Sequence, residues 1–215
     1  MTDDVLPPTR RTVGSAPAVI REQDVALARR AASGDRAAQR ELFAAQKTSV
    51  HHTLYRILGN NRDIEDLVQD AFLEIFRALP SFRGDSTLSR WCQTIATRVA
   101  FLSISKRKPP AVELSVVEEV LAGDADTRRH AQARDAARRL YAALDKIDPK
   151  QRIAFALAVV DGRPLAEVAE MTESSVVAVK TRVWRARKDL MKRARKDAVL
   201  AGYLEEFSGN EEDVP

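Results

Sequence analysis

The residues of this chain best equipped for chemistry are cations crowded onto one stretch near its C-terminal end. Lys180, Arg182, Arg185 and Arg187 interleave with Thr181 and Trp184, and residues 175 to 198 hold nine bases against two acids. Such side chains neutralise phosphates and meet base edges when a helix carries them into a DNA major groove. A basic helix face by itself is sometimes only a solvated surface. The segment in front of it narrows the choice. Pro164 suits a helix start, and Leu165, Val168 and Ala169 point inward while Glu167 and Glu170 stay in water. Ser174 or Ser175 then caps a second helix whose buried side is Val176, Val179, Val183 and Leu190. Two short helices joined by a tight turn, the second one basic, form a helix-turn-helix. Ser175, Val177 and Ala178 stand at the front of that second helix, where base edges are reached.

A second polar set lies upstream. Ile64, Leu67, Val68, Ala71, Phe72, Ile75, Phe76 and Leu79 recur at three- and four-residue steps and predict an amphipathic helix. Its opposite side carries Asp63, Asp66, Gln69 and Asp70. Acids in a first turn favour the helix dipole, which accounts for Asp63 and Glu65 but less readily for Asp70, beyond that turn. Pro80 stops this helix. The loop Phe82-Arg83-Gly84-Asp85-Ser86 leads to a fourth helix, from about Thr87 to Ser105, with Leu88, Trp91, Cys92, Ile95, Val99 and Leu102 facing the core. Arg90, Gln93, Thr94, Thr97 and Arg98 lie along it, and Lys106, Arg107 and Lys108 close it. Trp91 shares its spacing with Ile95 and reads as core before it reads as a stacking platform.

Other chemistries lack their residues. His51 and His52 are adjacent, so on a helix they point apart and cannot act as an i, i+4 ligand pair. His130 stands alone and Cys92 lies on an apolar face. There is no glycine-rich phosphate loop and no carboxylate pair at catalytic spacing, so neither a metal, a cofactor nor an enzymatic activity is expected. A single cysteine excludes an internal disulfide, and the N-terminal residues lack the apolar core of a signal peptide, so the expected compartment is the cytoplasm.

The elements that must hold these sets are helices. The chain has 215 residues, 45% hydrophobic and 31% charged, with only 8 glycines, which favours helix over sheet. The expected fold is all-α, with two small helical domains joined by a flexible acidic linker. Residues 1 to 22 read as a disordered tail, and residues 23 to 108 as the first domain. A short helix over Asp24 to Ala32 is followed by Asp35 as a cap. A longer helix then runs over residues 36 to 58, with Leu42, Phe43, Val50, Leu54, Ile57 and Leu58 inward, and Gly59-Asn60-Asn61 ends it. Residues 109 to 127 form the linker, with five acids and no base between 111 and 126. The second domain, residues 128 to 197, has a helix around Leu140, Tyr141 and Leu144. Asp148-Pro149 then starts a helix running to Gly162. Residues 198 to 215 read as an acidic tail.

The two polar sets also carry a resemblance. Asp161-Gly162, Glu167-Val168-Ala169-Glu170 and the run from Val179 to Arg187 look like region 4 of bacterial RNA polymerase sigma factors of the sigma-70 family, most like the extracytoplasmic-function (ECF) group. The run from Asp63 to Phe76 resembles the polymerase-binding helix of region 2. Phe82 through Trp91, with Ile95-Ala96, resembles its promoter-melting segment. The resemblance implies an initiation factor that binds core RNA polymerase, directs it to promoter DNA and helps melt it. It assigns Asp63, Asp66, Gln69 and Asp70 to the polymerase clamp. Phe82 to Ser86, Arg90, Gln93, Thr94, Thr97, Arg98 and Lys106 to Lys108 go to the −10 element, where a flipped base must be held. Ser175, Val177, Ala178, Lys180, Thr181, Arg182, Trp184, Arg185 and Arg187 go to the −35 element. An anti-sigma factor, often membrane-bound, is the further partner implied. The linker would thread toward the polymerase cleft, with Glu113, Glu118 and Glu119 mimicking nucleic acid. The turn departs from the family pattern: Glu173-Ser174 and Val177-Ala178 stand where glycine-containing pairs are usual. A ligand-sensing or dimeric helix-turn-helix repressor is the competing class, but it has no reason to contain the acidic third helix and the Arg-Gly-Asp loop.

Overall fold

Short-range capping sets most of the helix boundaries. A computed structural model of the chain describes residues 18–59, 63–106 and 126–206, and no strand occurs among them. The helices are α1 (Ala18–Ala32), α2 (Arg36–Leu58), α3 (Ile64–Ala78), α4 (Leu88–Lys106), α5 (Asp126–Leu144), α6 (Pro149–Phe155), α7 (Leu165–Met171), α8 (Val176–Ala194) and α9 (Ala198–Glu206). The Asp35 carboxylate accepts from the amides of Ala37 and Ala38, opening α2, and Asp148 does the same for α6 through Lys150 and Gln151. Gly59 closes α2 at φ 73°, a left-handed conformation that glycine adopts without strain. Pro80 ends α3 in a 3₁₀ turn, Leu79–Ser81.

Helices α1 to α4 pack as one bundle. Leu42, Leu54, Ile57, Val68, Ile75, Leu88, Ile95 and Val99 are buried in it. The start of α4 is held from a distance, because Asp24 of α1 accepts from the Leu88 amide at 2.7 Å. Three expectations need correction here. First, α1 begins at Ala18, so residues 18 to 22, expected in the tail, are helical. Second, Phe43 is 39% exposed: its ring rests on Phe72 at a centroid distance of 4.5 Å, at the edge of the bundle rather than inside it. Third, Leu102 is exposed, because the buried stripe of α4 continues through Ala96 and Ala100 instead.

The second module is built around α6 and α8. Helix α6 loosens at its end into a π-helical turn over Ala156–Val160, in which the Asp161 amide reaches back five residues to the Ala156 carbonyl at 2.9 Å. Leu140, Leu144, Phe155, Leu190, Leu200 and Leu204 form a cluster under α9. Residues 198 to 206 therefore fold back as helix rather than trailing as an acidic tail. Arg139 fastens this end, bonding both Asp135 and Asp197. Val176, expected inward, is exposed, because α8 buries Ala186 and Ala194 along with Val179, Val183 and Leu190. Arg107, Lys108 and the linker glutamates Glu113, Glu118 and Glu119 lie outside the described residues.

The two modules touch. Ile153, Ala154, Ala156, Leu157, Val168 and Met171 share a continuous apolar core with the α1–α4 bundle. The C-terminal carbonyls of α2, which a helix leaves without internal partners, are met from the second module. Arg152, 2% exposed, donates to the carbonyls of Ile57 and Leu58 at 3.1 Å each, and the Tyr141 hydroxyl donates to that of Arg56 at 2.7 Å. The Tyr141 ring lies so close over Gly59 that a β-carbon there would stand 2.6 Å from it.

Candidate nucleic-acid interface

Three polar surfaces result, one per set of expected residues. On α8 the Ser175 hydroxyl accepts from the Ala178 amide at 3.1 Å and fixes the helix start. Glu173 takes the left-handed turn position at φ 49°, where a glycine would carry no strain. Val177, Thr181, Trp184 and Lys188 fall at steps of four, three and four, so they share one outward stripe. Val177 is 75% and Trp184 60% exposed, and the Lys188 ammonium lies 5.2 Å from the indole centroid. Lys180 and Arg185 are exposed beside them, while Ala178 and Arg187 are half-buried. Arg182 does not reach outward as expected. Its guanidinium turns back to the Ser174 hydroxyl at 3.2 Å and braces the turn.

On α3, Asp63, Asp66, Gln69 and Asp70 are all exposed, on the side away from buried Val68, Ala71, Phe72 and Ile75. Leu73 joins them, 54% exposed. Sequence periodicity left it off the inward stripe without giving it a role on the acidic side.

The α4 surface is the most altered. Arg83 and Asp85 are exposed and Ser86 is half-buried in a loop that Gly84, at φ 80°, turns against Val25 of α1. Phe82 is buried, with its ring 5.3 Å from that of Trp91, so it is a packing residue under the loop rather than an exposed platform. Thr97 is also buried, spending its hydroxyl on the Gln93 carbonyl. Thr94 donates to the Arg90 carbonyl, and Lys106 is exposed. The remaining polar groups of α4 meet the helix-turn-helix. Arg90 Nη1 lies 3.0 Å from Glu167 and 3.9 Å from Glu170; Arg98 Nη2 lies 2.5 Å from Glu173. Gln93 donates to Ser49 and accepts from Arg163, which also pairs with Asp161 and Glu167. Glu167, expected in water, is thus largely covered. Burial pulls the Arg90 guanidinium below its usual pKa, against the opposing charge of Glu170.

Sequence reasoning gave no role at the site to Asp161, Arg163, Arg152 or Tyr141. Asp161 is almost fully buried, 2.8 Å from His52 Nε2 and 3.2 Å from Arg56 Nε of α2. One signal was available. Arg152 sits next to Ile153 and four residues before Ala156, a charge on a buried stripe, and a buried guanidinium demands acceptors.

Family models for sigma-70 region 2 match residues 42–109 and for sigma-70 region 4 match residues 137–190. The chain is similar to the ECF RNA polymerase sigma-E factor of Haemophilus influenzae, at 29% identity over 76% of this chain and 91% of that protein. It is also similar to the ECF RNA polymerase sigma factor SigW of Bacillus subtilis, at 26% identity over 75% of this chain and 91% of that one. Among solved structures, CnrH in complex with the cytosolic domain of CnrY matches with a TM-score of 0.55 at 25% identity, covering 81% of this chain and 98% of that one. The chain belongs to the sigma-70 family of RNA polymerase sigma factors, in its extracytoplasmic-function group.

Proposed function

We propose that this protein binds core RNA polymerase in the cytoplasm, directs it to a particular set of promoters and assists their melting, for a stress- or signal-responsive regulon. The observation that carries the reading is the pairing of two unlike surfaces on one chain. One is an outward row of acids on α3, and the other is a basic, partly aromatic stripe on a capped recognition helix. Asp63, Asp66, Gln69 and Asp70, with Leu73, form the polymerase-docking face. Lys180, Arg185 and Lys188 hold phosphates of the −35 duplex, and Thr181 and Trp184 lie over its bases. Val177 and Ala178 give that face apolar contact suited to thymine methyl groups. Arg83 and Asp85 of the loop, with Arg90, Gln93 and Arg98 of α4, meet the displaced −10 strand. Lys106 holds its phosphates. Because CnrH is found in complex with the cytosolic domain of CnrY, the reading extends to restraint by an anti-sigma factor.

The test is run-off transcription with purified core polymerase on promoters mapped after overexpression. Asp66→Ala with Asp70→Ala is expected to weaken core binding about tenfold, with DNA binding by α8 unchanged. Lys180→Ala with Arg185→Ala is expected to raise the DNA concentration needed by about tenfold and to flatten its salt dependence. Arg90→Ala with Arg98→Ala is expected to slow open-complex formation by the holoenzyme without changing core binding. A chain that never co-purifies with core polymerase overturns the reading.

A further inference from the structure

The outward stripe of α8 runs on past the turns that reach base edges. Beyond Lys188 it continues through Met191, Lys192 and Arg195 at the same three- and four-residue steps. From Val177 to Arg195 it is about 27 Å long. A recognition helix brings only its N-terminal residues to the bases, so the rear half presents its groups elsewhere. Residues 188–196 hold five bases against one acid. Met191 is 43% exposed among them, and Val199 at the start of α9 is exposed as well. Lys188, Lys192 and Arg195 pair with no acid among the described residues, whereas Arg90, Arg98, Arg139 and Arg163 each do.

The complementary charge follows α9. Residues 205–215 carry five acids and no base, with Glu211, Glu212 and Asp213 consecutive. Leu200 and Leu204 pack into the cluster of Leu140, Ala186 and Leu190, which holds the end of α9 beside α8. From Glu206, five to seven extended residues carry those three acids out by at most about 17–24 Å. A helix with its side chains is only about 10–12 Å across. The acids therefore reach the outer face of α8 with chain to spare, and Ser208-Gly209-Asn210 supplies residues suited to a turn. We propose that residues 207–215 dock along the rear half of α8, setting Glu211, Glu212 and Asp213 on Lys188, Lys192 and Arg195, and compete there with the phosphates of promoter DNA. The competition rests on the assignment of α8 to the −35 duplex; the docking does not. Each exposed ion pair contributes little and is screened by salt. Tethering offsets this, because a short flexible connection holds the acids at millimolar effective concentration beside the bases. Duplex DNA displaces so weak an occupant.

Docking is tested on the full chain with a carbodiimide, which joins a carboxylate to an amine it already touches, and the crosslinks are read by mass spectrometry. Links within one chain from Glu211, Glu212 or Asp213 to Lys188 or Lys192 are expected, and they are expected to disappear when duplex DNA is added. Lys47 and Lys150, exposed on α2 and α6, are the references. Equal linking to the references, or no link at all, overturns the docking. Links between chains overturn it too, and assign the segment to a second copy. Competition is read by anisotropy of a labelled −35 duplex. Glu211→Gln, Glu212→Gln and Asp213→Asn together are expected to tighten binding about fivefold at low salt, since a surface free only part of the time loses affinity in proportion. The control, Glu22→Gln, Glu41→Gln and Glu74→Gln, removes the same charge from α1, α2 and α3. The gap between variant and control is expected to close as salt rises, because uncovered bases release more counterions on meeting DNA. Tightening no greater than the control's, or a gap that salt does not change, overturns the competition. Failure of every form to bind the duplex also overturns it, and places the fault in the assignment of α8, which the Lys180 and Arg185 variants test separately.

Discussion

Cys92 is fully buried in α4 beneath α1, and burial, reinforced by the nearby negative charge of Asp24, pushes its thiol up to about 12. The thiolate is the reactive form, so the native side chain is doubly protected. Iodoacetamide at pH 8 is expected to leave it unmodified for hours in the folded protein and to alkylate it at once in denaturant, read by mass spectrometry. Stoichiometric labelling of native protein would mean that α4 leaves the bundle readily. A residue is legible in sequence when its role is decided within a few positions. Asp35, Asp148 and Pro149 were read correctly as helix starts, because a cap needs only the amides two and three residues ahead. Phe82 was misread because its fate depends on Trp91, nine residues on, and on the turn made by Gly84 between them.

Among the elements, α9 shows how composition can hide a helix. The acids from Glu205 onward suggested a tail, yet Leu200 and Leu204, four residues apart, lie against Leu140 and Leu190. Its attachment has a polar anchor as well. Hydrogen bonds from Arg139 hold the Asp197 and Asp135 carboxyls below their ordinary 3.8, with the Leu200 amide adding to the effect at Asp197 and Arg138 at Asp135. A carboxyl depressed in the folded state stabilises that state fully above its unfolded pKa, and the contribution is lost as the pH falls through the folded value. Docking of α9 is therefore expected to be constant from pH 7 to pH 5 and to weaken only below about 3.8. Amide exchange at Leu200 and Leu204 measures it. Weakening near neutral pH instead would mean the anchor is not these carboxylates. The π-helical turn after α6 was invisible in sequence for a different reason: Ala156 to Val160 is an ordinary apolar run, and only the partners of Asp161 reward the extra residue per turn.

Across the whole molecule, the two modules behave as one cooperative unit as long as α2 is capped from outside. Replacing Arg152 by Met keeps an unbranched stem of similar reach but strips the Ile57 and Leu58 carbonyls of their donor and leaves Asp145 without its guanidinium. Buried acceptors left unmet cost about 1–3 kcal/mol each, so a loss of about 3 kcal/mol is expected. Calorimetry should then show two transitions in place of one, because the cluster around Leu140, Leu190 and Leu200 is separate from the core that the α1–α4 bundle shares with α6 and α7. A single, merely lowered transition would show that the modules cannot separate without unfolding. Sequence resolved both modules and their order, since each has its own periodic stripes. Their mutual contact was not legible, because it joins positions about a hundred residues apart through Arg152 and Asp161, which have no periodic signature.

The turn at Ala156–Val160 carries a consequence for how such a contact arises or vanishes. Each residue of an ordinary helix advances the azimuth by about 100°. Deleting one residue there would relax the turn into plain α-helix and swing everything downstream around the axis. Asp161, Arg163 and the glutamates would then lose their partners on α2 and α4. A single codon lost in this stretch is thus a phase control on the contact between the modules, acting without altering the charged residues that make it.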